Sequence, residues 1–306
     1  MPHPHEPLRL LDGLITGLRF TPEQAGDAPT IVYLHGGGSQ ASEAVVQLGI
    51  AARNGYPGIS LNRPDYLDSA SLGLPFDQDE GFYVASAERL DDAIADYWAQ
   101  HAGESRGVVL QGCSVGSAMA LIIAQHWARQ SAAGTQRWPL LGVAMADIGA
   151  LPYPEREDLW KTTPVVHRVL DLGPWIGQVD FGPEWARYTA GLGDESPGVP
   201  RAEILEYNGG WARNALGIAA EVTVPVLWRV SEFDPFWRGD DEAVAAFRTA
   251  LETSSPYVDA GVMAGASHAI HDGPRGRSYL FSVLAFVELC RTASITPQTL
   301  ERRPQR

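Results

Sequence analysis

A serine between two glycines lies where one apolar run ends and another begins. The segment VVLQGCSVGSAMALIIAQ spans residues 108–125, and Gly112, Ser114 and Gly116 form a G-x-S-x-G pattern within it. The first run is typical of a buried strand, and the second has the spacing of a helix. Small neighbours permit a sharp strand-to-helix turn that would present the Ser114 hydroxyl as a nucleophile. The alternative is a glycine-bounded junction with an incidental serine.

A serine hydroxyl is a poor nucleophile until a base takes its proton, so a histidine must reach Ser114. Of the eight histidines, His268 is preferred because it follows a predicted strand and lies in a loop of small residues, within MAGASHAIHDG. His271 is its neighbour and main rival. The alternative for either residue is a solvated loop histidine.

The imidazole in turn needs a carboxylate to fix its tautomer and stabilise its charged form. Asp234, in LWRVSEFDPFW, follows a predicted strand by a few residues and stands between the serine and the histidine in chain order. Glu232 is one alternative acid. Asp240 and Asp241 are better explained as cap residues of the next helix.

Three glycines follow an apolar strand in His35-Gly36-Gly37-Gly38. Backbone amides in such a loop can point at a ligand without obstruction by side chains, so a carbonyl oxygen that becomes an oxyanion would accept from Gly37 or Gly38 and from Val115. His35 is then a structural residue whose ring bonds within the loop. The alternatives are a flexible glycine-rich loop or, more weakly, a phosphate site, although the phosphate-binding glycine patterns do not occur here.

Strands alternate with helices along most of the chain, and the strands are apolar throughout. This pattern predicts an α/β fold with a mostly parallel central sheet and helices on both faces. The predicted strands are a hairpin over 8–20 and segments 30–38, 57–65, 106–112, 139–149, 222–230 and 256–265; the predicted helices are 42–55, 80–101, 115–130, 240–252 and 275–291.

Residues 151–220 interrupt this alternation with many prolines and glycines and only short helical segments. We expect them to form an inserted, mainly helical cap. The α/β core is then 1–150 together with 221–300, and 301–306 is a disordered tail.

Five segments carry these features in a characteristic order: YLHGGG (33–38), SLNRPDY (60–66), LQGCSVGSAM (110–119), VPVLWRVSEFDP (224–235) and GASHAI (265–270). On these segments the chain resembles the α/β-hydrolase superfamily, in its capped, serine-nucleophile form with an HGGG-type oxyanion loop. The resemblance implies that Ser114 attacks a carbonyl, that His268 accepts and returns a proton, and that Asp234 orients His268. The segment NRPDYLDS departs from the family by lacking its usual glycines, which would alter the entrance to the site.

Aromatic residues of the insertion and of the segment around Asp234 predict an apolar pocket over Ser114. They are Tyr153, Trp160, Trp175, Phe181, Trp185, Tyr188, Tyr207 and Trp211 in the insertion, and Phe233, Phe236 and Trp237 around Asp234. The alternative is that most of them pack the cap onto the core. We expect a small to medium-sized apolar or aromatic substrate with an ester, lactone, thioester or amide bond. Two further hypotheses are the same fold used as a carbon–carbon hydrolase, cyclase, lyase or acyltransferase, and a non-catalytic ligand receptor.

The composition of the chain disfavours several classes of binding partner. The net charge of −14 disfavours nucleic acid and anionic membrane surfaces. Cys113 and Cys290 match neither a disulfide framework nor a zinc spacing, so we expect buried, reduced thiols. No apolar run reaches the 18 residues of a membrane span, and the first residues lack a secretory signal pattern. These features predict a cytoplasmic protein that acts on a small molecule without a metal or cofactor, with homo-oligomerisation left open.

Overall fold

The apolar runs of the sequence form the strands of a single sheet. The structure, a computed structural model, describes residues 5–24, 26–73, 80–153 and 198–293. The strands are β1 (Glu6–Leu10), β2 (Ile15–Phe20), β3 (Thr30–Leu34), β4 (Gly58–Leu61), β5 (Val108–Cys113), β6 (Leu140–Ala146), β7 (Val226–Phe233) and β8 (Val258–Ser267). Their order across the sheet is β1-β2-β4-β3-β5-β6-β7-β8.

The sheet is mostly parallel, as predicted. The hairpin β1–β2 and the pair β2–β4 are antiparallel, whereas every other neighbouring pair is parallel. All residues of β3 and β5 are buried, because helices cover both faces of the sheet. Parallel strands end at the same edge, so the loops that follow β3, β5, β6, β7 and β8 meet there.

The helices are α1 (Val45–Arg53), α2 (Phe82–His101), α3 (Val115–Ala133), α4 (Arg201–Glu206), α5 (Ala212–Ala220), α6 (Asp241–Glu252) and α7 (Gly276–Ala293). A π-helical turn, Tyr207–Trp211, joins α4 to α5. Alternate residues of β3 enter two apolar clusters, one on each face of the sheet: Val32 packs with α2, α3, α5 and α6, and Ile31 packs with α1 and α7. No helix among the described residues is both long and apolar enough to cross a membrane.

Most of the predicted insertion lies outside the described residues. This applies to 154–197, with Trp160, Trp175, Trp185 and Tyr188, and also to the predicted tail 301–306. The described part, 198–220, packs on the core: Trp211 and Ala215 are buried in the cluster that also holds α2 and α3. The assignment of 151–220 as a cap and the domain boundaries stay predictions.

Candidate active site

Ser114 lies on a sharp turn between the end of β5 and the start of α3. Its backbone has φ 50° and ψ −123°, a conformation that residues other than glycine rarely adopt. A Cβ on Gly112 would lie 2.5 Å from the carbonyl oxygen of Gly116, and a Cβ on Gly116 would collide with the carbonyl of Leu34. Glycine is therefore required on both sides of the serine, and the strain is of the kind found at functional sites.

Three predicted residues form a continuous chain of hydrogen bonds. The Nε2 atom of His268 lies 3.0 Å from Oγ of Ser114, and its Nδ1 atom lies 2.9 Å from Oδ2 of Asp234. All three residues are at least nine-tenths buried. An Nδ1–H group that donates to Asp234 leaves the Nε2 lone pair facing the serine hydroxyl, which is the tautomer that a general base needs.

The Asp234 carboxylate is fixed at both oxygens by groups just before and after it in the chain. Its Oδ2 accepts from the Ser231 hydroxyl at 2.9 Å, and its Oδ1 accepts from the amides of Phe236 at 2.8 Å and Trp237 at 3.0 Å. The Phe236 ring meets His268 edge-on, with ring centroids 4.6 Å apart. These contacts restrict the rotation of both members of the Asp234–His268 pair.

The alternatives that the sequence left open lie elsewhere. His271 Nε2 is 3.2 Å from Glu43 Oε1 and 3.3 Å from Asp272 Oδ2. Glu232 is exposed, and its carboxylate accepts from the amide of Gly265 at 2.7 Å. The structure thus places His268 and Asp234, rather than these neighbours, beside Ser114.

Asp147 is a second buried carboxylate near the imidazole, and sequence reasoning missed it. It directly follows β6, and its Oδ2 accepts from the amide of Ile270 at 2.8 Å. Burial raises the pKa of Asp147 to about 6, although the nearby charge of His268 opposes that rise. The only sequence signal is an aspartate just after an apolar strand, in the segment MADIG.

Two carboxylates set the basicity of His268. Burial would lower its pKa, but the charge of Asp234, the hydrogen bond that His268 donates to that carboxylate and the charge of Asp147 together raise the pKa above the ordinary 6.5. The imidazole is therefore a stronger base than a free histidine.

The loop after β3 lies beside the nucleophile turn. A Cβ on Gly36 would lie 3.5 Å from Cβ of Ser114, and one on Gly37 would lie 3.8 Å from Cγ2 of Val115. Among the described residues, no hydrogen bond occupies the amides of Gly37 and Val115. The Gly38 amide, in contrast, donates to the Tyr66 hydroxyl at 3.2 Å. Gly37 and Val115 are thus better placed than Gly38 to hold an oxyanion.

His35 is bonded within its own loop. Its Nδ1 donates to the carbonyl of Gly36 at 2.8 Å, and its Nε2 accepts from the amide of Arg63 at 3.1 Å. Burial, followed by the charge of Arg63, lowers the pKa of His35 to about 3, so the ring stays neutral.

The predicted pocket residues separate into four groups. Trp237 is buried, with its ring 4.8 Å from that of Tyr207, whose hydroxyl adjoins Ser114 and the Trp237 indole. Trp211 is a core residue, and its indole donates to the Gly149 carbonyl at 2.9 Å. Phe233 is half exposed. Trp160, Trp175, Phe181, Trp185 and Tyr188 fall outside the described residues.

Two groups of side chains in the described part of the chain are close enough to share a metal ion. They are Glu43 with Cys113 and His271, and Asp147 with Asp234 and His268. In each group the histidine already contacts a carboxylate of the same group. We assign a metal to neither, and the prediction of a metal-free site stays a prediction.

No protein-family model matches the chain, and no curated protein matches it in sequence. Solved structures of several hydrolases do match its fold. A highly thermostable carboxyl esterase from Bacillus coagulans, in complex with glycerol, is 14% identical over 95% of this chain and 99% of that chain, with a TM-score of 0.63.

Two further solved structures match the fold of this chain over a similar share of its length. The enol-lactonase from Burkholderia xenovorans LB400 is 16% identical over 92% of this chain and 100% of that chain, with a TM-score of 0.62. A monoacylglycerol lipase from Paleococcus ferrophilus is 15% identical over 91% of this chain and 98% of that chain, with a TM-score of 0.61. Together with the strand order, these matches show that the chain has the fold of the α/β-hydrolase superfamily.

Proposed function

We propose that the protein is a serine hydrolase that cleaves an ester or a related acyl bond through an acyl-enzyme. The observation that carries the proposal is the hydrogen-bonded chain from Ser114 Oγ through His268 to Asp234, next to the amides of Gly37 and Val115. The enzymes of similar fold, a carboxyl esterase, a lipase and a lactonase, support the same class of bond.

The first half-reaction forms the acyl-enzyme. Oγ of Ser114 attacks the substrate carbonyl carbon while His268 Nε2 accepts the hydroxyl proton, and Asp234 stabilises the imidazolium that results. The carbonyl oxygen becomes an oxyanion, which accepts hydrogen bonds from the amides of Gly37 and Val115. When the tetrahedral intermediate collapses, His268 returns the proton to the leaving oxygen, so an alcohol departs and the acyl group remains on Ser114.

The second half-reaction repeats these steps with water. Water attacks the acyl carbon, and His268 takes its proton. The ester bond to Ser114 then breaks, the proton passes to Oγ, and the carboxylic acid is released. A lactone would follow the same course and yield a hydroxy acid, while a thioester or an amide would release a thiol or an amine.

The described surroundings favour a substrate with an apolar or aromatic part. Tyr207, Phe236 and Trp237 form an aromatic group next to His268 and Ser114, with the Tyr207 and Phe236 rings 6.0 Å apart. Tyr207 and Phe236 each keep a small exposed area that can contact an apolar or aromatic group, while Trp237 is fully buried and packs against Tyr207.

A fluorophosphonate probe tests the proposal directly. We expect the wild-type protein to be labelled at Ser114 and to hydrolyse p-nitrophenyl or aryl esters, and we expect Ser114→Ala to lose both properties, with kcat lower by roughly a million-fold. A panel of rising acyl length then defines the acyl group. A folded wild-type protein without Ser114-dependent labelling would contradict the proposal and favour a ligand receptor. Labelling without release of acid in water would favour acyl transfer.

A further inference from the structure

We infer that Arg63 and Glu203, a buried ion pair, position the amide of Gly37 for the oxyanion. They are positioning residues that act through the loop after β3, and the inference rests on the hydrolase proposed above. It assigns a role to Arg63 of the NRPDY segment and to a carboxylate of the predicted cap.

The ion pair has two hydrogen bonds and is sealed from solvent. Arg63 Nη1 lies 2.6 Å from Glu203 Oε2, and Nη2 lies 3.1 Å from Oε1. The side chains are 0% and 1% exposed. Two buried charges are expensive to desolvate, so they persist only when their geometry and remaining hydrogen bonds are nearly complete.

The remaining donors of Arg63 bind the loop itself. Its Nε donates to the carbonyl of His35 at 3.0 Å, and Nη2 also donates to the carbonyl of Gly36 at 3.1 Å. The His35 ring supplies a second donor to the same Gly36 oxygen at 2.8 Å. Two consecutive carbonyls of the loop therefore face the guanidinium and are held there.

Because the peptide bond is planar, fixing the carbonyl of Gly36 also fixes the direction of the Gly37 N–H. The Gly36 carbonyl and the Gly37 N–H belong to one planar trans peptide, in which the two groups point in opposite directions. None of the described peptide bonds is cis. Because Arg63 and His35 hold the carbonyl, they also hold the N–H of Gly37 turned away from Arg63. The loop lies beside Ser114 and Val115, so a fixed Gly37 amide completes a pair of donors there.

Glu203 binds the Arg63 guanidinium and also contacts the loop after β3 through the Tyr66 hydroxyl. Its Oε1 accepts from the Tyr66 hydroxyl at 2.8 Å, and that hydroxyl accepts from the Gly38 amide at 3.2 Å. A Cβ on Gly37 would lie only 3.1 Å from the same carboxylate oxygen. Helix α4 thus contributes one side chain that holds the oxyanion loop, and this side chain lies 140 residues after Arg63 in the sequence.

The test uses two conservative variants of the full chain, Glu203→Gln and Arg63→Lys. An amide that serves only the transition state changes kcat rather than KM. Because removal of one oxyanion donor lowers kcat by about 100- to 1,000-fold, a misplaced donor is expected to lower it about tenfold, with KM changed less than about twofold.

A second readout separates positioning from a general loss of structure. Each variant is assayed on an O-aryl thionoester and on the matching oxygen ester, because a thiocarbonyl sulfur accepts weaker hydrogen bonds and gains less from the amides. We expect the ratio of kcat/KM for ester over thionoester to fall about tenfold in both variants. The ratio does not depend on the fraction of folded enzyme, so it stays measurable in a destabilised variant.

The control is Arg229→Lys, since Arg229 pairs with Asp259 at 2.8 Å in a partly exposed bridge between β7 and β8. It should leave the ratio at the wild-type value. Wild-type kcat in both test variants, or lower activity with an unchanged ratio, would overturn the positioning role while leaving the hydrolase intact. A wild-type protein without Ser114-dependent turnover would instead overturn the proposed function, and the role with it.

Discussion

Two clusters of similar chemical composition lie on the two sides of the nucleophile turn. The serine cluster is Ser114, His268 and Asp234, and the cysteine cluster is Cys113, His271 and Glu43. Each contains a potential nucleophile, an imidazole and a carboxylate, and the two nucleophilic residues are adjacent in sequence. Residue types alone therefore do not distinguish a reactive set from an unreactive one.

The clusters differ in the protonation that their surroundings impose. Burial lowers the pKa of His271, but the charges of Asp272 and Glu43 and the hydrogen bond to Asp272 reverse this and raise it well above the usual 6.5. Burial also opposes ionisation of Glu43, yet the charge of His271 and its hydrogen bond bring that pKa down to about 2. An imidazolium already paired with a carboxylate cannot accept a proton.

The thiol of the cysteine cluster is equally unsuited to reaction. Burial raises the pKa of Cys113, so the neutral thiol persists at physiological pH. In the serine cluster, by contrast, a single carboxylate bonds to Nδ1 of His268, and Nε2 stays available to the Ser114 hydroxyl. On the proposed mechanism, the feature that distinguishes the serine cluster is an available Nε2 lone pair beside the nucleophile, since both clusters contain the three groups.

Separate removal of the two histidines should give the largest difference in kcat between two variants. We expect His268→Ala to lower kcat by roughly a million-fold, as removal of a general base does elsewhere. His271→Ala should keep kcat within about threefold. It should, however, lower the free energy of unfolding by about 3–5 kcal/mol, because the buried Glu43 carboxylate would lose its charged partner and keep only neutral donors such as the Tyr33 hydroxyl.

Steady-state assays and urea denaturation of both histidine variants provide the measurements. His271→Gln is a milder variant if His271→Ala does not fold. A folded His271 variant without turnover, beside an active His268→Ala, would reverse the histidine assignment.

A smaller effect is expected from Asp147, which lies between the clusters, with Oδ2 3.9 Å from the Cys113 sulfur. His268 acts as a base only when it is neutral, so kcat/KM should rise with pH through an apparent pKa above 6.5. Asp147→Asn removes a negative charge that raises the His268 pKa, so this rise should move to lower pH. The measurement is kcat/KM against pH for both proteins.

Asp259→Asn serves as the surface control for that profile, because Asp259 pairs with Arg229 in a partly exposed bridge and does not contribute to the raised pKa of His268. It should leave the rise in kcat/KM where it is in the wild type. A profile of Asp147→Asn that stays in place or moves to higher pH would show that Asp147 does not act on His268.

The smallest expected effect concerns alkylation of Cys113, which we expect not to occur in the native protein. Iodoacetamide at pH 8 should leave the native thiol unmodified, since alkylation requires an accessible thiolate. The same sample should still react with fluorophosphonate at Ser114. Intact mass spectrometry measures both, and the urea-unfolded protein, in which Cys113 and Cys290 are exposed, is the control. Rapid alkylation of native Cys113 would contradict the proposed difference between the clusters.

Local patterns predicted much of the fold and of the nucleophile turn. Apolar runs located the strands because a parallel strand is buried on both faces, and the glycines around Ser114 reported a steric requirement of the turn itself. The roles of the two histidines in the loop after β8 were harder to predict. Sequence favoured His268 over His271 only by its place near the end of a predicted strand, because the direction of each ring depends on a backbone turn at Ala269, which has φ 65°.

The long-range polar contacts could not be predicted at all. Arg63 and Glu203 are ordinary charged residues that carry no local signal, and only the tertiary structure brings them together. The same holds for the Tyr66 hydroxyl, which engages Gly38 and so distinguishes it from Gly37 in a run of three equivalent glycines.

The wide separation of these partners along the chain has a consequence during protein synthesis. Ser114 and His268 are 154 residues apart, and Arg63 and Glu203 are 140 residues apart. Chains emerge from the ribosome with the amino-terminal part first. A nascent chain that has exposed Ser114 and its glycine loop still lacks the buried acid of α4 and the imidazole after β8. A ribosome-bound chain of this length therefore carries Ser114 without His268, and the proposed acyl chemistry requires that β8, the last strand of the sheet, has joined the others.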